Sequence, residues 1–143
     1  MHLGNPLKNL LVVGAEPMAR ILLVDDEIEF RQLMLAVLTM ENHAVVCASD
    51  GNEAIRLFFE GTFDLVITDL VMPEKEGLET IRELRERSPL VKIVAMTGGG
   101  YSSASTYLAL ARAFGVEHTL AKPFSRSDIL MAVSSALGSE FAA

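Results

Sequence analysis

Phe63-Asp64-Leu65-Val66-Ile67-Thr68-Asp69-Leu70-Val71-Met72-Pro73 is the stretch on which the chain turns. Leu65 to Thr68 are apolar or β-branched and run straight into an aspartate, with a proline shortly after. A short apolar run bounded by polar and turn residues predicts a strand buried on both faces, as in parallel sheets. Asp69 then stands where that strand ends. In open α/β sheets the crevice outside the carboxyl ends of the strands is where ligands bind. Asp69 is therefore the first candidate for a functional centre.

Working outward, the same pattern recurs. Arg20-Ile21-Leu22-Leu23-Val24 is a second apolar strand, and it too ends in acid, Asp25-Asp26-Glu27. Residues 28–41 carry Phe30, Leu33, Met34, Val37, Leu38 and Met40 at helical spacing, one broad apolar stripe. Asp25 or Asp26 is placed to cap the first turn of that helix, and Asn42 to end it. Residues 44–48 are a short strand, and Asp50 with Glu53 has capping-box spacing for a helix that stops at Gly61. Residues 78–87 form a helix with Leu78, Ile81 and Leu84 inward and a Glu83–Arg87 pair outside. A strand over 92–96 ends at Thr97, a helix spans 102–114, and a short strand over 117–120 leads into Lys122-Pro123-Phe124. Ser125 caps a last helix over 126–137, with Leu130, Val133 and Leu137 on its buried face. Strands alternating with helices imply a parallel sheet covered on both faces with right-handed crossovers. The expected fold is α/β: a flavodoxin-like, three-layer (βα)5 doubly wound domain with strand order 2-1-3-4-5.

Composition narrows the function. The 143 residues suit one domain, and 50% are apolar with no Trp, so the core is aliphatic. Twelve Lys and Arg against 19 Asp and Glu, a net charge of -7, argue against a nucleic-acid surface. No apolar run reaches the length of a membrane span. The single Cys47 excludes an internal disulfide and fits a reducing, cytoplasmic compartment; within its apolar run it reads as a small buried hydrophobe. Residues 1–17 read as a loose extension, 18–138 as the folded unit and 139–143 as a tail. An extra edge strand at Leu10-Leu11-Val12-Val13 is the alternative for the extension.

The polar residues that interrupt the apolar runs all fall at strand carboxyl ends: Asp25 and Asp26, Asp69, Thr97 and Lys122. In the order 2-1-3-4-5, the first and third strands are neighbours, so three carboxylates share one crevice. Two such charges about 4 Å apart repel by roughly 4 kcal/mol at an effective dielectric near 20. A divalent cation with oxygen ligands offsets that repulsion, and Mg²⁺ needs only one or two carboxylates plus waters. A metal beside a hydroxyl and a fixed ammonium describes a phosphoryl site, where positioning and charge neutralisation matter most. Carboxylates act as nucleophiles in forming aspartyl phosphates, and Asp69, alone on its strand, is the best placed. Singly, each residue has an ordinary reading: helix cap, turn residue, loop threonine, solvated lysine. Gathered at one edge, they do not. Gly98-Gly99-Gly100 is no P-loop, because no Gly-Lys-Ser/Thr follows.

These motifs, in this order, resemble the response-regulator receiver domain of two-component signalling across residues 18–138. The carrying residues are Ile21 to Glu27, Asp64 to Pro73, Gly77, Met96-Thr97-Gly98 and Leu120 to Phe124. The resemblance implies that Asp69 accepts phosphate from a histidine kinase or a histidine phosphotransfer protein. It implies Mg²⁺ held directly by Asp26, Asp69 and the Val71 backbone carbonyl, with Asp25 acting through water. Thr97 and Lys122 are then expected to contact the phosphoryl group, and the Lys122–Pro123 bond to be cis. The chain reads as a stand-alone receiver, a monomer or phosphorylation-dependent dimer, with no nucleic acid or membrane as partner. Its downstream protein target is expected on the face running from Ser102 to Leu137. A fragment of a longer regulator, a Mg²⁺-dependent aspartyl-phosphate phosphohydrolase and a non-phosphorylated scaffold are the alternatives. Haloacid-dehalogenase-type hydrolases place Asp-x-Asp after their first strand, whereas here Asp25 and Asp26 are adjacent.

The chain departs from the family pattern at one switch position. Three residues before Lys122 the family carries Tyr or Phe, whose swing reports phosphorylation; here it is Thr119, with Tyr101 and Tyr107 as the substitutes at hand. Val71 and Gly99 stand where the family tunes dephosphorylation, and neither has a polar side chain to orient an attacking water. Phosphate loss is therefore expected to be slow. Decay of the purified phosphoprotein, followed with radiolabel, should extend well beyond minutes, and a half-life of seconds would refute this.

Overall fold

The computed structural model describes residues 16–70, 77–98 and 101–138, apart from the side chains of 101–105 and 107. Ten elements alternate through them: β1 (Arg20–Val24), α1 (Ile28–Met40), β2 (Ala44–Ala48), α2 (Gly51–Glu60), β3 (Leu65–Asp69), α3 (Gly77–Arg87), β4 (Ile93–Thr97), α4 (Tyr101–Ala113), β5 (His118–Ala121) and α5 (Arg126–Leu137). The strands form one parallel sheet of order β2-β1-β3-β4-β5, the expected doubly wound topology. Several expectations lie outside the described residues: the extension to residue 15 with its alternative strand, Val71, Gly99, the Tyr101 and Tyr107 rings, and the tail 139–143.

The core follows from the period of a strand. Successive side chains point to opposite faces, and β1, β3 and β4 are apolar at nearly every position. Ile21, Leu23, Leu65, Ile67, Val94 and Met96 face one way, against Met34 and Leu38 of α1 and Ile129 and Val133 of α5. Leu22, Val24, Val66 and Ala95 face the other way, against Ala54 of α2, Ile81 and Leu84 of α3 and Ala111 of α4. Two hydrophobic clusters thus sandwich the sheet. At about 25 cal/mol per Å² of buried apolar surface, burial on both faces supplies the main driving force for folding. Cys47, on the edge strand β2, is half-buried and packs against the α1–α5 side of the core. Among the described residues no helix is long and apolar enough to cross a membrane.

Helix ends and faces fit their sequence signals closely, with four departures. Ser125 and Asp128 form the reciprocal capping box of α5, and Asn42 ends α1 with a left-handed φ of 67°. Asp50 accepts the Glu53 N–H, but Glu53 bonds back to the Ser49 N–H rather than to Asp50. Neither Asp25 nor Asp26 caps α1. Glu27 takes that position without a side-chain cap bond, and the Asp25 carboxylate instead accepts the Glu27 N–H at 2.9 Å. The expected stripe of α1 is also too broad: Leu33 and Met40 are 53% and 69% exposed. A helix laid on a sheet covers only the arc facing it, and Met34, Val37 and Leu38 fill that arc. On α5 the sheet-facing position is Ile129, leaving Leu130 half-buried.

The Nδ1 atom of His43, just ahead of β2, is buried and makes no hydrogen bond. Burial pushes the imidazole below its ordinary pKa, against an opposing pull from Glu41. The folded protein therefore prefers neutral His43. Its contribution to stability is fully present above about pH 6.5 and is lost as pH falls through the depressed folded value. The drop in melting temperature between about pH 7.5 and pH 5 should be smaller in His43→Gln, which cannot titrate there. An equal drop in both proteins would refute this.

Candidate functional site

Register brings the acidic strand ends together. Val24, the last residue of β1, pairs with Thr68 of β3, so Asp25 and Asp69 leave adjacent strands at the same level. Adjacent strands lie about 4.8 Å apart, which sets these carboxylates side by side. Thr97, the last residue of β4, pairs with Ala121 of β5, and the Thr97 carbonyl accepts the Lys122 N–H at 2.8 Å. Asp25, Asp69, Thr97 and Lys122 are all buried. The Lys122–Pro123 peptide bond is cis, as expected.

Lys122 ties the site together. Its Nζ donates to Asp25 Oδ2 at 3.1 Å, Asp69 Oδ2 at 3.0 Å and Glu27 Oε1 at 2.8 Å. The Phe30 ring, one turn into α1, lies with its centroid 4.3 Å from the same nitrogen, and packs edge-on against Phe124. Burial alone would lower the ammonium's pKa. The ammonium's hydrogen bonds to Glu27, Asp69 and Asp25 and the charge of Asp69 outweigh burial, and the pKa rises well above the ordinary lysine value. Lys122 is thus a permanent positive charge at any physiological pH.

One oxygen each from Asp25, Glu27 and Asp69 lies within 4.8 Å of the others. Three carboxylates around one ammonium leave an excess of negative charge in a largely buried crevice. All the donors are hard oxygens, the set that Mg²⁺ takes. The residues present therefore fit a divalent cation in both donor chemistry and charge. Asp26 is exposed and outside the cluster, while Glu27, which the motif reading left without a role, is inside it. The signal for Glu27 was in plain view as the third acid of Asp25-Asp26-Glu27. Only the turn into α1 decides which of the three point inward. The Thr97 hydroxyl, buried at the end of β4, donates at 3.3 Å to the Gly98 carbonyl.

The comparisons with known proteins agree with this geometry. The sequence matches the response regulator receiver domain over residues 21–134. The chain belongs to that family. The receiver is 34% identical over 118 residues to the transcriptional regulatory protein ResD of Bacillus subtilis, covering 82% of this chain and 48% of ResD. It thus spans about half the length of the curated relatives it matches. Among solved structures, the chemotaxis protein CheY4 of Vibrio cholerae superposes with a TM-score of 0.75 at 30% identity, over 84% of this chain and 99% of that one. The response regulator TrrA of Thermotoga maritima, solved in complex with Mg²⁺ and beryllofluoride, gives 0.73 at 34% identity, over 82% and 98%. The chain is a receiver domain of two-component response regulators, which is consistent with phosphorylation-controlled signalling.

The position of Asp69 hangs on Gly77. Its N–H donates to the Leu70 carbonyl at 3.0 Å, so the start of α3 lies across the end of β3. A Cβ at position 77 would overlap the Asp69 carbonyl oxygen and lie 2.6 Å from the Leu70 Cα, all backbone and unable to move aside cheaply. Gly77→Ala should destabilise the domain by about 1–3 kcal/mol, the range for overpacking. It should also impair chemistry at Asp69 beyond the loss of folded protein. Denaturant melts read the first effect, and labelling per folded molecule reads the second. Unchanged stability would refute the close approach.

Proposed function

We propose that the domain accepts a phosphoryl group on Asp69 from a phosphohistidine donor and signals through protein contacts. One observation carries this: a buried carboxylate at the switch point of the sheet, touching a permanently charged lysine, beside excess negative charge suited to Mg²⁺. An Asp69 carboxylate oxygen attacks the phosphorus, the P–N bond to the donor imidazole breaks, and the imidazole nitrogen keeps the electron pair and takes a proton. Lys122 is placed to follow the phosphoryl oxygens because it already holds Asp69, and Thr97 offers a hydroxyl on the neighbouring strand. Bound Mg²⁺ would neutralise charge on the transferred group. Asp69 and the Val71 carbonyl are proposed as direct ligands with Asp25 acting through water, and Asp26, exposed and outside the cluster, would have to turn inward to join them. TrrA, in complex with Mg²⁺ and beryllofluoride, supports the assignment by similarity.

Donor and target are proteins in this reading: a histidine kinase or phosphotransfer protein upstream, and a binding partner downstream. The α4–β5–α5 face leaves Leu110 and Met131 exposed, which suits a protein contact. Thr119, half-buried in β5, stands on that face where an aromatic side chain is common in the family. No turnover of an external substrate belongs to this role.

Incubation with acetyl phosphate and Mg²⁺ should give stoichiometric, acid-stable and alkali-labile labelling. Asp69→Asn should abolish it, and Lys122→Ala should slow it by about 10²-fold or more, the order for loss of a charge-stabilising group. Continued turnover of organic phosphates would favour the phosphohydrolase instead. No labelling in folded protein would favour the scaffold.

A further inference from the structure

A lysine ammonium has three N–H donors and no more. Here all three are committed to carboxylates, those of Asp25, Asp69 and Glu27, while the Phe30 ring lies against the same nitrogen. A phosphoryl group on Asp69 sets new anionic oxygens beside that ammonium, which engages them only by loosening one existing bond.

The three bonds are unequal in what their release costs. Phosphorylation consumes the Asp69 charge, so the donor held by Asp69 passes to the phosphoryl group. Any further donor must come from Asp25 or Glu27. Asp25 is buried, and a charge abandoned there loses its partner without gaining water. The Glu27 side chain is 57% exposed, so water takes over when the ammonium leaves. Glu27 also supports no local structure through its side chain. It precedes the first residue of α1 without a side-chain bond to the helix, and its carboxylate reaches Lys122 at 2.8 Å instead.

We propose that Glu27 is a releasable latch on Lys122. It is a positioning residue that holds the ammonium over the acceptor in the unphosphorylated domain and yields it to the phosphoryl oxygens. The latch rests on the reading of Asp69 as phosphate acceptor. It makes Glu27 a competitor of the phosphoryl group for one proton donor, so the charge on Glu27 favours the unphosphorylated state.

Calorimetric titration tests this, with Mg²⁺ alone and with beryllofluoride at saturating Mg²⁺, on the wild type, Glu27→Gln and Glu29→Gln. Glu29 lies in the first turn of α1, is exposed and is not a partner of Lys122, so its substitution removes the same charge without touching the latch. Glu27→Gln should tighten beryllofluoride about two- to five-fold, the scale of an exposed ion pair. Its Mg²⁺ affinity should fall by less than about tenfold, since Glu27 shares the acidic cluster but Mg²⁺ needs only one or two carboxylates. Glu29→Gln should change neither. The latch is overturned by unchanged beryllofluoride affinity in Glu27→Gln, or by equal gains in both variants. A loss of Mg²⁺ affinity of about tenfold or more in Glu27→Gln also overturns it, marking Glu27 as a ligand instead. If the wild type takes up no beryllofluoride, the acceptor reading fails and the latch with it. A second readout needs no variant: the Glu27 carboxyl ¹³C resonance should move towards that of a solvated glutamate when beryllofluoride binds. A stationary resonance overturns the proposal.

Discussion

One ammonium holds three carboxylates together at the carboxyl edge of the sheet. Lys122 reaches from the end of β5 to Asp69 on β3 and to Asp25 and Glu27 beyond β1, so it spans the sheet's functional edge. Breaking such a buried pair by removing one partner leaves an uncompensated charge, which costs about 3–5 kcal/mol. The acidic residues are therefore tolerated because the lysine is present, and the lysine stays charged because the acids are. That mutual dependence gives the domain a preorganised charge pair without any bound ligand. It also leaves surplus negative charge, which is what makes the crevice attractive to a divalent cation.

The remainder of the fold is arranged so that these groups meet. A parallel sheet sends every strand's carboxyl end to the same edge, and the order β2-β1-β3-β4-β5 makes β1 and β3 neighbours at the reversal. Right-handed crossovers then place α1 and α5 on one face and α2, α3 and α4 on the other. Gly77 lets α3 begin against the Asp69 backbone, which ties the start of that helix to the end of β3. At the opposite end of the sheet Arg85 performs a purely structural task. Its guanidinium bonds the carbonyls of Pro89, Val91, Phe114 and Gly115, joining the approach to β4 with the approach to β5. The two strands that deliver Thr97 and Lys122 are thus pinned relative to each other far from the chemistry.

The contacts of Lys122 also redistribute attention between the two faces. Thr119 removes the aromatic side chain expected on β5, yet two aromatic rings lie on the other side of the site. Phe30 of α1 faces the ammonium and packs against Phe124, which follows the cis proline. Arg126 of α5 meets Glu41 at the end of α1 at 2.7 Å, so α1 and α5 are joined at that end as well. The charge at Asp69 therefore reaches the α1 side of the domain through Lys122.

Local chemistry determined much of this protein without reference to tertiary structure. Apolar runs of strand length, helical stripes between them and caps such as Ser125 and Asn42 are near-neighbour effects, so elements and topology were legible. Asp69, Lys122 and Asp25 were legible too, because a charged residue ending an apolar strand has few ordinary explanations. Element limits moved by about one residue, as helix and strand ends commonly do. What only the assembled structure decided was which acid of Asp25-Asp26-Glu27 faces the crevice and which side of α1 is covered. Both depend on the direction in which the chain turns from β1 into α1. That turn is set by the Asp25 bond to the Glu27 N–H and by an ammonium 95 residues away in sequence. Residues so distant meet only when the sheet closes the distance between them, and no local pattern records that they will.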